Sequence, residues 1–144
     1  AHTDRALLST LEESGQVELY GIMPYGDILK LYQHTDIFVW PSLAETFGHP
    51  LIEAMAAGVP ILVSDIPVNR EICGDAAYYF SPLNEQECAD KICKLAHDFA
   101  LRDSLVAKGR ERVKLFLWQD HMTRLLSLMT DIYESNHNHH SGKG

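Results

Sequence analysis

Residues 40–65 read Trp-Pro-Ser-Leu-Ala-Glu-Thr-Phe-Gly-His-Pro-Leu-Ile-Glu-Ala-Met-Ala-Ala-Gly-Val-Pro-Ile-Leu-Val-Ser-Asp. Trp40 closes the run Asp36–Trp40, which Pro41 terminates. Its unbroken apolar character is that of a parallel strand covered on both faces. Residues 41–49 are polar and loop-like, and Pro50 suits the first turn of a helix. Gly58-Val59-Pro60 stops that helix, and Ile61–Ser64 is a second buried strand. The order strand, loop, helix, strand predicts an open α/β sheet, in which loops at the carboxyl ends of the strands line the ligand crevice.

The same alternation extends outward. Asp4–Glu13 has helical spacing, with Leu7, Leu8 and Leu11 on one side and Ser14-Gly15 at its end. Val17–Gly21 reads as a short strand. Ile28, Leu29, Tyr32 and Gln33 predict a second helix, with Asp27 as its cap. Downstream, Ala76–Phe80 is a further strand ended by Ser81-Pro82. From Glu85 the pattern is helical in three segments, with breaks near Asp98–Leu101 and Phe116–Trp118. Phe38 and Trp40 are expected to be buried strand residues, and Met55, Ala56 and Ala57 to be core packing. Residues 1–135 are read as one domain, and Asn136–Gly144 as a disordered His-rich tail, since nothing near its histidines fixes a coordination geometry.

Composition bounds the function. With 12 Lys and Arg against 20 Asp and Glu, the formal charge is −8. No basic run offers a nucleic-acid face, and any phosphate must be held by local dipoles against an unfavourable field. Cys73, Cys88 and Cys93 lack zinc-like spacing and read as free thiols in a reducing compartment. No signal peptide or bilayer span is visible, which fits a cytoplasmic protein. The first residue is not Met, so a missing signal says little about a parent protein. No Gly-x-Gly-x-x-Gly follows a strand, which disfavours a dinucleotide dehydrogenase.

The chemistry centres on the turn into Pro50. Backbone N–H groups there point into the crevice at the positive end of the helix dipole, a place for a diphosphate. Gly48 lets a ligand approach the backbone. Glu45 in the loop and Glu53 in the first helical turn are carboxylates suited to vicinal hydroxyls, as on a hexose or a ribose. Polyols at both ends and phosphates between them describe a nucleotide sugar. Glu45 is otherwise a solvated loop acid, Glu53 a complement to the helix dipole, and His49 either a general base or a backbone contributor. Arg70, the cation after a downstream strand, either pairs near Glu71 or reaches the crevice.

At these residues the chain resembles glycosyltransferase family 4, whose GT-B fold sets two Rossmann-like halves across a cleft. The Glu-x7-Glu motif is present as Glu45 and Glu53. Around it lie Val17-Glu18-Leu19-Tyr20-Gly21, Asp36-Ile37-Phe38-Val39-Trp40-Pro41-Ser42, Arg70-Glu71-Ile72, Gly74-Asp75-Ala76-Ala77 and Phe116-Leu117-Trp118. Order and spacing hold over residues 5–135. The resemblance implies the C-terminal, donor-binding half: a Rossmann-like parallel sheet with flanking helices, lacking its first strands. It implies a retaining hexosyltransferase using a UDP- or GDP-linked sugar and an acceptor such as a growing glycan. By resemblance Glu45 positions the reacting sugar and Glu53 binds the ribose. Backbone groups of Phe47, Gly48 and His49 contact sugar hydroxyls, those of Leu51 and Ile52 face the phosphates, and Gly21, Ile22 and Met23 lie along the base. No cofactor and no metal are implied.

The acceptor-binding half and two strands of the donor half fall outside the similarity. Those strands, which in the family lie between the ones at Val17–Gly21 and Asp36–Trp40, carry the Arg and Lys that hold the donor phosphates. The 144-residue chain is accordingly expected to be inactive alone. The amphipathic final helix, about Trp118–Ser135, is expected to leave apolar surface bare and favour self-association. Membrane association of the parent follows from the family's amphiphilic acceptors. The alternatives are a nucleotide-sugar epimerase of GT-B fold, which lacks the Glu-Thr-Phe-Gly-His-Pro context, and a non-catalytic nucleotide-binding or assembly domain.

A site of amides and carboxylate–hydroxyl pairs needs no bridging cation. Calorimetric nucleotide affinity is therefore expected to be the same with and without EDTA; a strict need for Mg²⁺ or Mn²⁺ points to another transferase fold.

Overall fold

Ile61, Leu62, Val63 and Ser64 are each 1% exposed or less, and they form the middle strand of a three-stranded parallel sheet. The computed structural model describes residues 9–116 with Ser127 and Met129. The chain divides into two compact units, Ala1–Leu31 and Tyr32–Gly144.

In the first unit residues 9–13 are helical (α1), and Gly15, at φ 69°, follows the expected Ser14-Gly15 stop. The Ser14 amide donates to Thr10 O at 3.1 Å and its hydroxyl to Leu11 O at 2.6 Å. Residues 17–21 are not a strand. A strand requires a neighbour to take up its N–H and C=O groups, and among the described residues this segment has no ladder partner; Leu19 and Tyr20 are exposed. Helix α2 spans Tyr25–Gln33. Asp27, expected as its cap, lies inside the first turn. Its amide donates to Pro24 O at 2.9 Å, and its carboxylate pairs with Lys30 at 2.7 Å. The helix starts earlier because its first turn is built on the Pro24 carbonyl.

In the second unit β1 (Phe38–Trp40), β2 (Ile61–Ser64) and β3 (Ala77–Phe80) follow the order β1-β2-β3. Phe38, Val39 and Trp40 align with Ile61, Leu62 and Val63, and Ile61–Ser64 with Ala77–Phe80. Phe38 and Trp40 are half-buried rather than buried, because β1 is an edge with β2 on one side only. Helix α3 (His49–Ala57) joins β1 to β2. Ala54 and Met55 are buried but Ala56 and Ala57 are exposed, as a nine-residue amphipathic helix requires.

Helix α4 (Pro67–Cys73) lies between β2 and β3 where no helix was expected. Its signals are local. Pro67 opens it, and the Gly74 amide closes it on Arg70 O at 2.9 Å. Asn84 caps α5 (Glu85–His97), accepting from the Glu87 amide at 3.0 Å. Asp98 caps α6 (Phe99–Val113), accepting from the Leu101 amide at 2.9 Å; the expected break at Asp98 is this cap. A 3₁₀ turn, Lys114–Phe116, follows. Leu95 and Leu105 of these helices pack with Leu62 and Phe80 of the sheet. Helix α6 approaches α3 closely: a Cβ on Gly109 lies 3.3 Å from Met55 Cγ.

Cys73, Cys88 and Cys93 are free thiols, and burial pushes the Cys73 thiol up to about 12. The final helix and the His-rich tail lie outside the described residues, apart from Ser127 and Met129, which are helical and exposed.

Glu87 ties α5 to the end of β3. It accepts from the Lys91 ammonium at 2.6 Å and from the Ser81 amide at 3.0 Å. Chiefly through Lys91, its carboxyl falls from the ordinary 4.5 to about 2. A folded pKa below the unfolded one stabilises above the unfolded value and is lost as pH falls through the folded one. In urea unfolding, Glu87→Gln is expected to be less stable than the parent chain at pH 7, with the gap closing from pH 4.5 towards pH 2.

Candidate functional site

The loop after β1 and the start of α3 bring two carboxylates to the carboxyl end of the sheet. Trp40 is the last residue of β1. Its indole Nε1–H donates to Glu45 Oε1 at 2.9 Å, so the half-buried Glu45 side chain is held against the strand that leads into its own loop. Ser42 closes the start of that loop, its hydroxyl donating to Ala44 O at 2.9 Å.

Gly48 turns the chain. It is buried, caps α3 and sits in the left-handed region at φ 76°, ψ 45°. A β-carbon there is disfavoured by conformation and lies 3.1 Å from Leu51 Cδ1. The Leu51 amide is bonded to Gly48 O at 3.0 Å, and Pro50 has no N–H. The leading donors are therefore the amides of Gly48 and His49, set in a left-handed turn of the kind that forms an anion-binding concavity. His49 is exposed, and its ring lies 4.7 Å from that of Phe47. Ile52 is half-buried, inside the helix.

Glu53 is the fifth residue of α3, in its second turn rather than its first. The leading turn of α3 thus lacks an acid, because the helix begins at His49. Glu53 Oε2 accepts from the Tyr32 hydroxyl at 3.3 Å, and that hydroxyl also lies 3.4 Å from Pro50 O. Tyr32 is 7% exposed and packs edge-on to Phe38, which stacks on Trp40. One aromatic row, Tyr32–Phe38–Trp40, therefore holds Glu53 at one end and Glu45 at the other. Phe38 and Trp40 read in the sequence as buried strand residues and Tyr32 as part of a helical pattern; the usable signal is the polar atom on Tyr32 and Trp40, which seeks a partner when partly buried.

Arg70 pairs with Asp65 and not with Glu71. Its guanidinium forks onto Asp65 with both contacts at 2.6 Å and lies 3.8 Å above the Tyr79 ring. The hydrogen bond from Arg70 lowers the Asp65 pKa. Beside the motif loop is a cavity of about 370 Å³ lined by Thr46, Phe47, Val68, Glu71, Ile72, Arg112, Leu115 and Phe116. Arg112 is committed to the end of α4, donating to Ile72 O at 3.0 Å. Among the described residues no group of three or more His, Cys, Asp or Glu is placed to hold a metal, and no helix is long and apolar enough to cross a membrane. Glu45, Phe47, Gly48, His49, Leu51, Ile52 and Glu53 are thus brought together in the second unit. Gly21, Ile22 and Met23 belong to the first, with Gly21 and Ile22 exposed and Met23 half-buried.

Residues 4–112 match the family model described as Glycosyl transferases group 1. The O-antigen chain mannosyltransferase B of Escherichia coli is 31% identical over 113 residues, covering 78% of this chain and 30% of that protein. Among solved structures, sucrose-phosphate synthase of Thermosynechococcus elongatus superposes with a TM-score of 0.77 at 24% identity, over 94% of this chain and 35% of that one. The C-terminal domain of the group 1 protein LpcC of Francisella tularensis gives 0.66 at 27% identity, over 79% and 62%. The chain spans 30% or less of the length of the first curated relatives.

Gly48→Ala is expected to destabilise the chain by about 1–2 kcal/mol, read as a melting temperature several degrees lower. Gly26, helical with open space at its Cβ position, is the contrast: Gly26→Ala is expected to hold or raise it.

Proposed function

Because the chain belongs to the group 1 glycosyl transferases, we propose that it forms the donor-binding part of a retaining hexosyltransferase that uses a UDP- or GDP-linked sugar. The observation that carries this reading is the left-handed Gly48 turn set between two carboxylates that are held in place, Glu45 by Trp40 and Glu53 by Tyr32. Amides of Gly48 and His49 supply hydrogen bonds to an anionic or polyol ligand, because they stand at the start of α3, where the first N–H groups of a helix lack partners within it. Glu45, anchored through one oxygen, keeps the other for the donor hexose and its reacting carbon. Glu53 takes the ribose hydroxyls. No metal takes part, and the protein acts in the cytoplasm.

Transfer also needs an acceptor held within reach of the donor carbon, a positioning effect worth several kcal/mol. We place that surface outside the 144 residues, so this chain alone is expected to move no sugar and to associate with itself. Arg70 is spent on Asp65, which leaves the phosphates to the amides here and to cations beyond the matched region.

Calorimetry with UDP, GDP and ADP and their hexose conjugates tests the roles. Glu53→Gln removes a charge-assisted contact of about 1.5–3 kcal/mol and is expected to weaken nucleotide and conjugate alike. Glu45→Gln is expected to spare the nucleotide and weaken only the conjugate. Equal losses for both ligands in both variants overturn the assignment.

A further inference from the structure

Two polar residues with no exposed surface, Ser64 and Asn69, lie at the root of the loop that carries Glu45. Asn69 is in the first turn of α4, and its Nδ2 donates to Ser64 O at 2.9 Å and to Ser64 Oγ at 3.1 Å. A serine hydroxyl has one proton. With Asn69 donating into its oxygen, that proton is turned to the opposite side, where the carbonyl of Ser42 accepts it and that of Trp40 lies at 3.5 Å. Those two carbonyls mark the end of β1 and the start of the loop, and Glu45 follows Ser42 by three residues while gripping the Trp40 indole.

Asn69 Oδ1 is buried and has no hydrogen-bond partner among the described residues. An unpartnered buried acceptor is destabilising, and an apolar side chain of similar size avoids that cost. What Asn69 alone contributes is the direction of a proton.

We propose that Asn69 is a positioning residue: acting through Ser64, it fixes the direction in which residues 41–47 leave β1 and thereby the place of Glu45. The link to the donor sugar rests on the glycosyltransferase reading; the positioning does not. The relay runs one way, from the Asn69 amide to the Ser64 hydroxyl to the Ser42 carbonyl. It couples the start of α4 to a loop more than twenty residues earlier in the chain.

The test is the Trp40 indole N–H resonance of the ¹⁵N-labelled, unliganded chain, assigned with Trp40→Phe. Ser64→Ala and Asn69→Ala are each expected to shift this resonance and to speed its exchange with water about tenfold, the loss of roughly one hydrogen bond. The double variant is expected to shift the indole no further than Ser64→Ala, because the bond that Asn69 keeps in Ser64→Ala, to the main-chain oxygen of residue 64, does not reach the Ser42 carbonyl. An unmoved indole in both single variants, or additive effects in the double one, overturns the proposal. If Asn69→Ala does not fold, Asn69→Leu, of similar size and without the buried acceptor, takes its place with the same shift expected, and an unmoved indole in it overturns the proposal. Failure to bind any nucleotide sinks the donor-binding reading but leaves this result readable, since no ligand is present.

Discussion

The structure depends on the complete burial of β2. A strand with no exposed side chain must have its backbone groups paired on both sides and apolar cover on both faces, because water reaches neither. Ile61–Ser64 satisfies the first condition with β1 and β3. Leu95 and Leu105 help to satisfy the second on the face that carries Leu62. Parallel pairing then requires each connection to cross over the sheet, and it sends the ends of all three strands to one edge. The loop with Glu45, the Asp65–Arg70 fork and the Glu87–Lys91 clasp all stand at that edge for this topological reason.

At that edge, Glu45 and Glu53 each accept a hydrogen bond from a donor on an aromatic side chain. Trp40 and Tyr32 each present a polar atom from an otherwise apolar ring, which orients Glu45 and Glu53 without neutralising them. The cations near the edge are spent elsewhere, Arg70 on Asp65 and Lys91 on Glu87. Charge pairing of this kind fastens β3 and α4.

What could be read in advance differs element by element. The motif loop, α3, β2, β3 and the Asp98 break were legible, because each is encoded by adjacent residues: an apolar run, a Pro at a helix start, a Gly at its end. Helix α4 was missed although Pro67 and Gly74 bracket it, since seven residues are too few to show a period. Val17–Gly21 has the composition of a strand but no ladder partner among the described residues, and Phe38 and Trp40 are only half-buried because β1 has one neighbour among them. The aromatic row was out of reach, as Tyr32 meets Glu53 across twenty-one residues of chain.

The sequence by itself determined the alternation of strand and helix, the left-handed turn that only Gly48 enters without strain, and the pair of acids on either side of it. Propensity, punctuation and burial demand are written locally, so they can be read locally. The tertiary structure decided which strand is central and which is an edge, and that Arg70 serves Asp65. It also decided that Trp40 and Tyr32 steady the two acids and that Asn69 stands behind the loop. Each of these is a choice among competing partners, some far apart in the chain, as Tyr32 and Glu53 are, and some only five residues apart, as Arg70 and Asp65 are. It is made only when packing brings particular donors and acceptors within three or so ångströms of one another.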